Sequence, residues 1–264
     1  MTRVLCLIAL SPLLANAQPV YSADKELVLG KHLAAEFERN VAVVNDAAIT
    51  AYVDRMARSL AKTATLRTPL TTKVVSGSNA YATTFPGGFL YVDSTLILDA
   101  ASEAELAGVL AHQIGHLALW PASTYQTAGT IPLTFMGGQC VRCGLHSACM
   151  GMAIPMAFLA TSRDREAKAD ELALGYMQNA GYDPGALGDF YARMTKPQPG
   201  AVSRVFAQGQ TVSESTRTEV DSMRNAHVFV VTSSEFEEIQ RKVAAPLANA
   251  VRRTSVPSLR RTGQ

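Results

Sequence analysis

The sequence predicts an α+β domain, mostly helical, with one small sheet set beside a single buried helix. Three observations carry that prediction. Apolar residues recur at three- and four-residue spacing over much of the chain, the pattern of amphipathic helices. Between residues 71 and 93 the texture changes to short β-branched and aromatic runs broken by Pro86-Gly87-Gly88. Residues 102–121 then return to helical spacing, in an apolar stretch that carries two histidines. A chain of 264 residues, 48% of them apolar, is long enough to bury a sizeable core as one domain.

Residues 1–17 have a basic start, an apolar run and Ala15-Asn16-Ala17, the features of a secretory signal peptide cleaved after Ala17. The run is brief for a membrane anchor. A periplasmic or secreted location follows as the expectation. The domain is expected over residues 18–245, followed by a basic disordered tail over 246–264 with Arg252, Arg253, Arg260 and Arg261. A formal charge of +2 gives no case for a nucleic-acid partner.

The first helix is expected from Ser22, with Leu27, Leu29, Leu33 and Phe37 spaced for one face. His32 stands alone there, a surface or packed residue and not a ligand. Asn45 or Asp46 caps a second helix with Ile49, Tyr52, Val53, Met56 and Leu60 inward. Strand-like runs follow at Thr71 and on either side of the diglycine, where Phe89, Leu90, Tyr91 and Val92 suit a strand covered on both faces. The diglycine reads either as a plain hairpin turn or, from its place one strand and one turn ahead of the two-histidine helix, as part of a substrate-binding edge, the reading preferred here. One strand here, with Asn79, Ala80, Tyr81, Gly87 and Gly88, is expected to lie at an edge that pairs with an extended or unfolded polypeptide through main-chain hydrogen bonds.

In the central helix, Ser102 and Glu105 have capping-box spacing, Pro121 marks the stop, and Leu106, Val109, Leu110 and Leu117 mark a buried face. His112 and His116 are four apart and share a face. This is the spacing of the zinc-protease pattern H-E-x-x-H, in which the glutamate accepts the proton of the attacking water. The glutamate position here is Gln113, whose amide hydrogen-bonds water but accepts no proton.

Residues 127–160 carry no acidic residue and a single base, Arg142. A buried helical hairpin or lid over the site is expected for 144–160, with membrane-surface association through 127–160 as the alternative. Cys140 and Cys143 form a C-x-x-C pair, with Cys149 beyond. An exported chain favours a disulfide and one free thiol among these three; a second zinc site completed by His146 is the competing use.

A further helix is expected from Ser162 or Asp164 to Gly181, and another from Asp183-Pro184 to about Met194. Glu166 and Asp170 share a face of the first of these. With His112 and His116 they supply the carboxylate ligand of a three-ligand zinc site and a second carboxylate to orient a ligating imidazole. Glu171 competes for the ligand role but points away from that face. Residues 227–244 are expected as a strand and a helix.

From about residue 22 to 244 the chain resembles the exported bacterial zinc metalloendopeptidases of the BepA and LoiP type, relatives of HtpX and the CAAX prenyl endopeptidases. The likeness rests on the early helices, Asn79-Ala80-Tyr81-Ala82 with Pro86-Gly87-Gly88, the two-histidine helix, and Ser162-Arg163 with Glu166-Ala167-Lys168-Ala169-Asp170. It implies the gluzincin α+β fold and one zinc per chain on His112, His116 and Glu166. It further implies support from Asp170 and proteolytic quality control of misfolded or misassembled envelope proteins. Three departures stand against it. Gln113 replaces the general base, and only Arg217 stands where the family has a downstream His-Pro and arginine. The tandem-repeat partner domain of some relatives has no counterpart in this sequence. A working endopeptidase, a zinc-binding pseudoprotease that holds unfolded clients, and a relic without metal are the three functions weighed, the complete ligand set speaking against the last.

Overall fold

The computed structural model describes residues 22–78, 80–119, 163–194, 220–223 and 228–254. The expected signal peptide, Asn79, the 127–160 segment with its three cysteines, and Arg217 lie outside them.

Helix α1 (Ala23–Glu38) starts where Ser22 accepts a hydrogen bond from the Lys25 N–H. After the short strand β1 (Ala42–Val43), α2 (Ala47–Leu60) is capped by Asp46, whose carboxylate accepts from the Ala48 and Ile49 N–H groups. Of the two expected caps, Asp46 takes the role. Strands β2 (Thr71–Ser76), β3 (Ala82–Phe85) and β4 (Phe89–Asp93) follow, then the short helix α3 (Ser94–Asp99), capped by Asp93. Helices α4 (Glu103–Leu119), α5 (Arg163–Ala180) and α6 (Ala186–Met194) form the centre, and α7 (Ser234–Thr254) closes the order. This is the α+β architecture the sequence predicts, mostly helical with one four-stranded sheet.

The strand order is β1-β2-β4-β3. Strands β3 and β4 form the antiparallel hairpin expected around the diglycine, while β2 runs parallel to β4. The hairpin thus folds outward and leaves β3 at the end of the sheet. Each strand presents alternate side chains to opposite faces. On one face Leu90 and Val92 join a large core with α2, α4, α5 and α6. On the other, Val75, Phe85 and Tyr91 pack beneath Leu29, Leu33 and Phe37 of α1. The Phe37 ring meets Phe85 and Tyr91 edge-on, with centroids 5.4 and 4.9 Å away. α1 also presses on the hairpin turn: a Cβ on Gly30 would fall 1.7 Å from the Pro86 carbonyl oxygen, a space only glycine leaves open.

Two expectations at the end of the chain change. The strand foreseen in residues 227–231 reduces, among the described residues, to a single parallel bridge between Val230 and Tyr182. Its neighbours are the turn after α5 and the start of α4, which offer isolated backbone groups and no strand edge. Helix α7 also continues past Pro246, the expected start of a disordered tail, to Thr254; residues 255–264 lie outside the description. Among the described residues no helix is long and apolar enough to cross a membrane.

Candidate metal centre

Helix α4 is buried along most of its length, so its polar side chains need partners. At its start the Ser102 hydroxyl accepts from the Glu105 N–H at 3.2 Å. Glu105 reaches back one residue further than a capping box requires, to the Ala101 N–H at 2.7 Å, and pairs with Arg193 of α6. The end of α5 is fixed by paired bonds, from the Gly181 N–H to the Gln178 carbonyl and from the Tyr182 N–H to the Met177 carbonyl, the Schellman arrangement.

Between these ends α5 crosses close to α4 at Gly115. A Cβ there would lie 2.8 Å from the Ala169 carbonyl oxygen. Ala169 sits between Glu166 and Asp170, and Gly115 precedes His116, so the close approach brings the carboxylates of one helix to the imidazoles of the other. The His112 and His116 Nε2 atoms lie 3.0 Å apart, and Glu166 Oε2 is 3.5 Å from each. Ligand atoms about 2.1 Å from a tetrahedral zinc stand about 3.4 Å from one another. The three donors therefore fit a metal of that size, and two imidazoles with one carboxylate fit zinc chemically.

Asp170 stands behind the cluster. Its Oδ1 lies 2.8 Å from His112 Nδ1, which therefore donates and leaves Nε2 to face the centre. The Tyr191 hydroxyl, from α6, donates to the same oxygen at 3.3 Å. Burial opposes charge on His112, but the bonds to Asp170 and Glu166 outweigh it and raise its pKa to about 9. Burial likewise opposes ionisation of Glu166; hydrogen bonds and charge from both histidines hold it well below the usual carboxylate range.

Gln113 lies beside the cluster on α4, its Oε1 3.5 Å from the Thr84 hydroxyl of β3. Glu171 is exposed and bonded to Lys168, away from the site, and His32 is exposed on α1. The expected pairing edge is arranged differently from the sequence expectation. The Tyr81 carbonyl accepts from the Asp93 N–H, the Gly88 carbonyl from the Thr71 N–H, and the Gly87 N–H donates to buried Glu26. Gly87 and Gly88 have positive φ and form a turn backed by α1 and Pro69; Ala80 accepts from the Ser78 hydroxyl. The bond at Tyr81 makes Thr83 and Phe85 the inward-bonding residues of β3, by antiparallel alternation. Ala82 and Thr84 therefore turn their N–H and C=O groups to the outer edge, where no described strand pairs. Thr84, Gly115 and Tyr191 were not foreseen. Each matters through a contact distant in sequence, and no local pattern marks any of them.

A buried helix with His-x-x-x-His, met by a second helix offering glutamate as third donor and aspartate as its support, defines a metallopeptidase-type centre. The sequence pattern of Peptidase family M48 matches residues 47–210, and the chain belongs to that family, whose members are metalloproteases. Among its relatives are a provisional beta-barrel assembly-enhancing protease of Vibrio cholerae, 27% identical over 197 residues, and the beta-barrel assembly-enhancing protease of Yersinia pestis, 25% identical over 193. The one from Escherichia coli is 25% identical over 198 residues. These alignments cover 67–68% of this chain but only 39–40% of the relatives. The chain thus spans about two fifths of their length.

Proposed function

We propose that this chain is a zinc-dependent endopeptidase-type protein of the cell envelope that engages extended or unfolded polypeptides, with turnover impaired by Gln113. The convergence of His112, His116 and Glu166 on one point carries this reading. The names of its relatives support the envelope and quality-control setting.

The two imidazoles and Glu166 would hold the zinc, and Asp170 keeps His112 in the ligating tautomer. Zinc, when bound, supplies Lewis acidity toward the scissile carbonyl and the attacking water. The free N–H and C=O groups of Ala82 and Thr84 accept an extended segment as an added strand, placing its backbone alongside α4. Gln113 stands where a base would take the water's proton and return it to the leaving amine. Its amide can hold and orient the water without removing that proton.

Gln113 also favours a second reading, in which the chain holds unfolded clients without cutting them. Elemental analysis and digestion of unfolded casein by the purified chain test both. One zinc per chain, lost in His116→Ala, with slow chelator-sensitive cleavage supports the first reading. Stoichiometric zinc with suppressed client aggregation and no cleavage supports the second. Stoichiometric zinc that survives His116→Ala removes the site from these residues.

A further inference from the structure

We propose that Tyr191 is a positioning residue for this centre, its hydroxyl fixing Asp170 so that His112 presents Nε2 to the metal; the inference rests on the zinc-binding reading above. The Tyr191 hydroxyl and His112 Nδ1 both donate to Asp170 Oδ1, at 3.3 and 2.8 Å. A carboxylate on one bond alone can still turn about its side-chain torsions; two donors arriving from different helices on the same oxygen hold that oxygen in place. The Tyr191 ring adds a second restraint, meeting the His112 imidazole edge-on at 88° with centroids 6.2 Å apart. The residue is 4% exposed, so water does not compete for the hydroxyl.

The hydroxyl is itself held in place by the packing of α6. One turn before Tyr191, Leu187 fills the space beside Gly108 of α4, its Cβ 3.0 Å from where a Cβ on that glycine would lie. Beyond it, Arg193 pairs with Glu105 and stacks over Phe190, while Met194 Sδ lies 3.4 Å from the Tyr81 hydroxyl, whose proton goes to Asp99. Helix α6 is thus pinned to α4 and to the start of β3 on both sides of Tyr191. Burial and the neighbouring Asp170 charge also keep the phenol protonated far above neutral pH, so it remains a donor. The result is a relay of three helices: α6 holds a carboxylate of α5, which holds an imidazole of α4.

A buried tyrosine also takes an acceptor simply to satisfy its hydroxyl, and a double-mutant cycle separates the two roles. Tyr191→Phe keeps the ring and removes the hydroxyl. Zinc dissociation constants are measured by competition with a chromogenic chelator on the full chain, Tyr191→Phe, Asp170→Ala and the double variant, alongside the cobalt visible spectrum of each. Tyr191→Phe is expected to weaken zinc about tenfold, the lower edge for outer partners of metal ligands, and Asp170→Ala about 10- to 100-fold. With Asp170→Ala already present, no acceptor remains for the hydroxyl, and removing it should cost nothing more. A Tyr191→Phe chain that binds zinc within about twofold of the natural one, with an unchanged cobalt spectrum, overturns the proposal. So does a loss that persists in full in the Asp170→Ala background. A natural chain that takes up no zinc refutes the metal reading itself, a result seen before any variant is compared.

Discussion

Gln113 occupies the position between the two histidines, within reach of Thr84 and beside the only described donor set for a metal. A positioned base contributes about 100- to 10,000-fold in rate. Gln113→Glu should therefore raise cleavage of unfolded casein about 100-fold or more at equal zinc occupancy. An inactive Gln113→Glu chain would mean that the site has decayed beyond this one residue. Robust chelator-sensitive cleavage by the natural chain would mean that another group serves as base. His112 gives a second prediction. Its pKa in the metal-free fold, about 9, lies above the ordinary 6.5 because the Asp170 and Glu166 bonds outweigh burial. The stability this contributes is complete below about pH 6.5 and lost as pH rises through about 9. Zinc needs the neutral ring, so its affinity should climb over that same interval while the metal-free melting temperature falls. An affinity independent of pH across this range would show that His112 is neutral in the metal-free protein. The residues behind both predictions were legible in sequence, because His112, Gln113, His116, Glu166 and Asp170 are each set by spacing within one helix. Tyr191 was not, since its role exists only where α6 meets α5.

At the level of elements, the site depends on how closely α5 lies on α4. Gly115→Ala would place a methyl group 2.8 Å from the Ala169 carbonyl, against backbone that cannot swing aside. The expected cost is about 1–3 kcal/mol, with zinc weakened as Glu166 withdraws. Thermal melts and zinc competition on the same sample check this. Undiminished affinity would show that the helices separate without moving the ligands. A metal held by His112, His116 and Glu166 would tie α4 to α5, so chelation should lower the melting temperature of the natural chain and leave that of His116→Ala unchanged. The positions of α1, α2, α4, α5 and α6 and the cap Ser22 follow from local chemistry and were foreseen, with Asp46 as one of two candidate caps; the short α3 and the extension of α7 past Pro246 were not. The order β1-β2-β4-β3 was not, because pairing β2 with β4 depends on segments that meet only after the hairpin folds outward. The same limit explains the placement of the open edge. Backbone groups of Tyr81, Gly87 and Gly88 were taken by partners that no spacing announces.

For the whole molecule, the span that matches the family, residues 47–210, contains every ligand yet leaves out α1 and α7. Helix α1 covers one face of the sheet, and Glu26 bonds the hairpin turn from behind. Helix α7 adds Phe236, Ile239 and Val243 to the large core, and Gln240 caps the Ile97 and Ala100 carbonyls that α3 leaves open. Leu29, Leu33 and Phe37 alone contribute about 1.5–3 kcal/mol each when buried, a large part of the roughly 5–15 kcal/mol that holds a typical domain together. A fragment of residues 47–210 should therefore aggregate, whereas one of residues 22–245 should elute as a discrete species in size-exclusion chromatography. A soluble, zinc-binding 47–210 fragment would show that the outer helices are accessories. The consequence of α1 is one of boundaries: the span that the family pattern marks and the piece expected to fold are different objects. A cut drawn from likeness passes through a core, and it strips the sheet of the cover that keeps it from becoming a template for other chains.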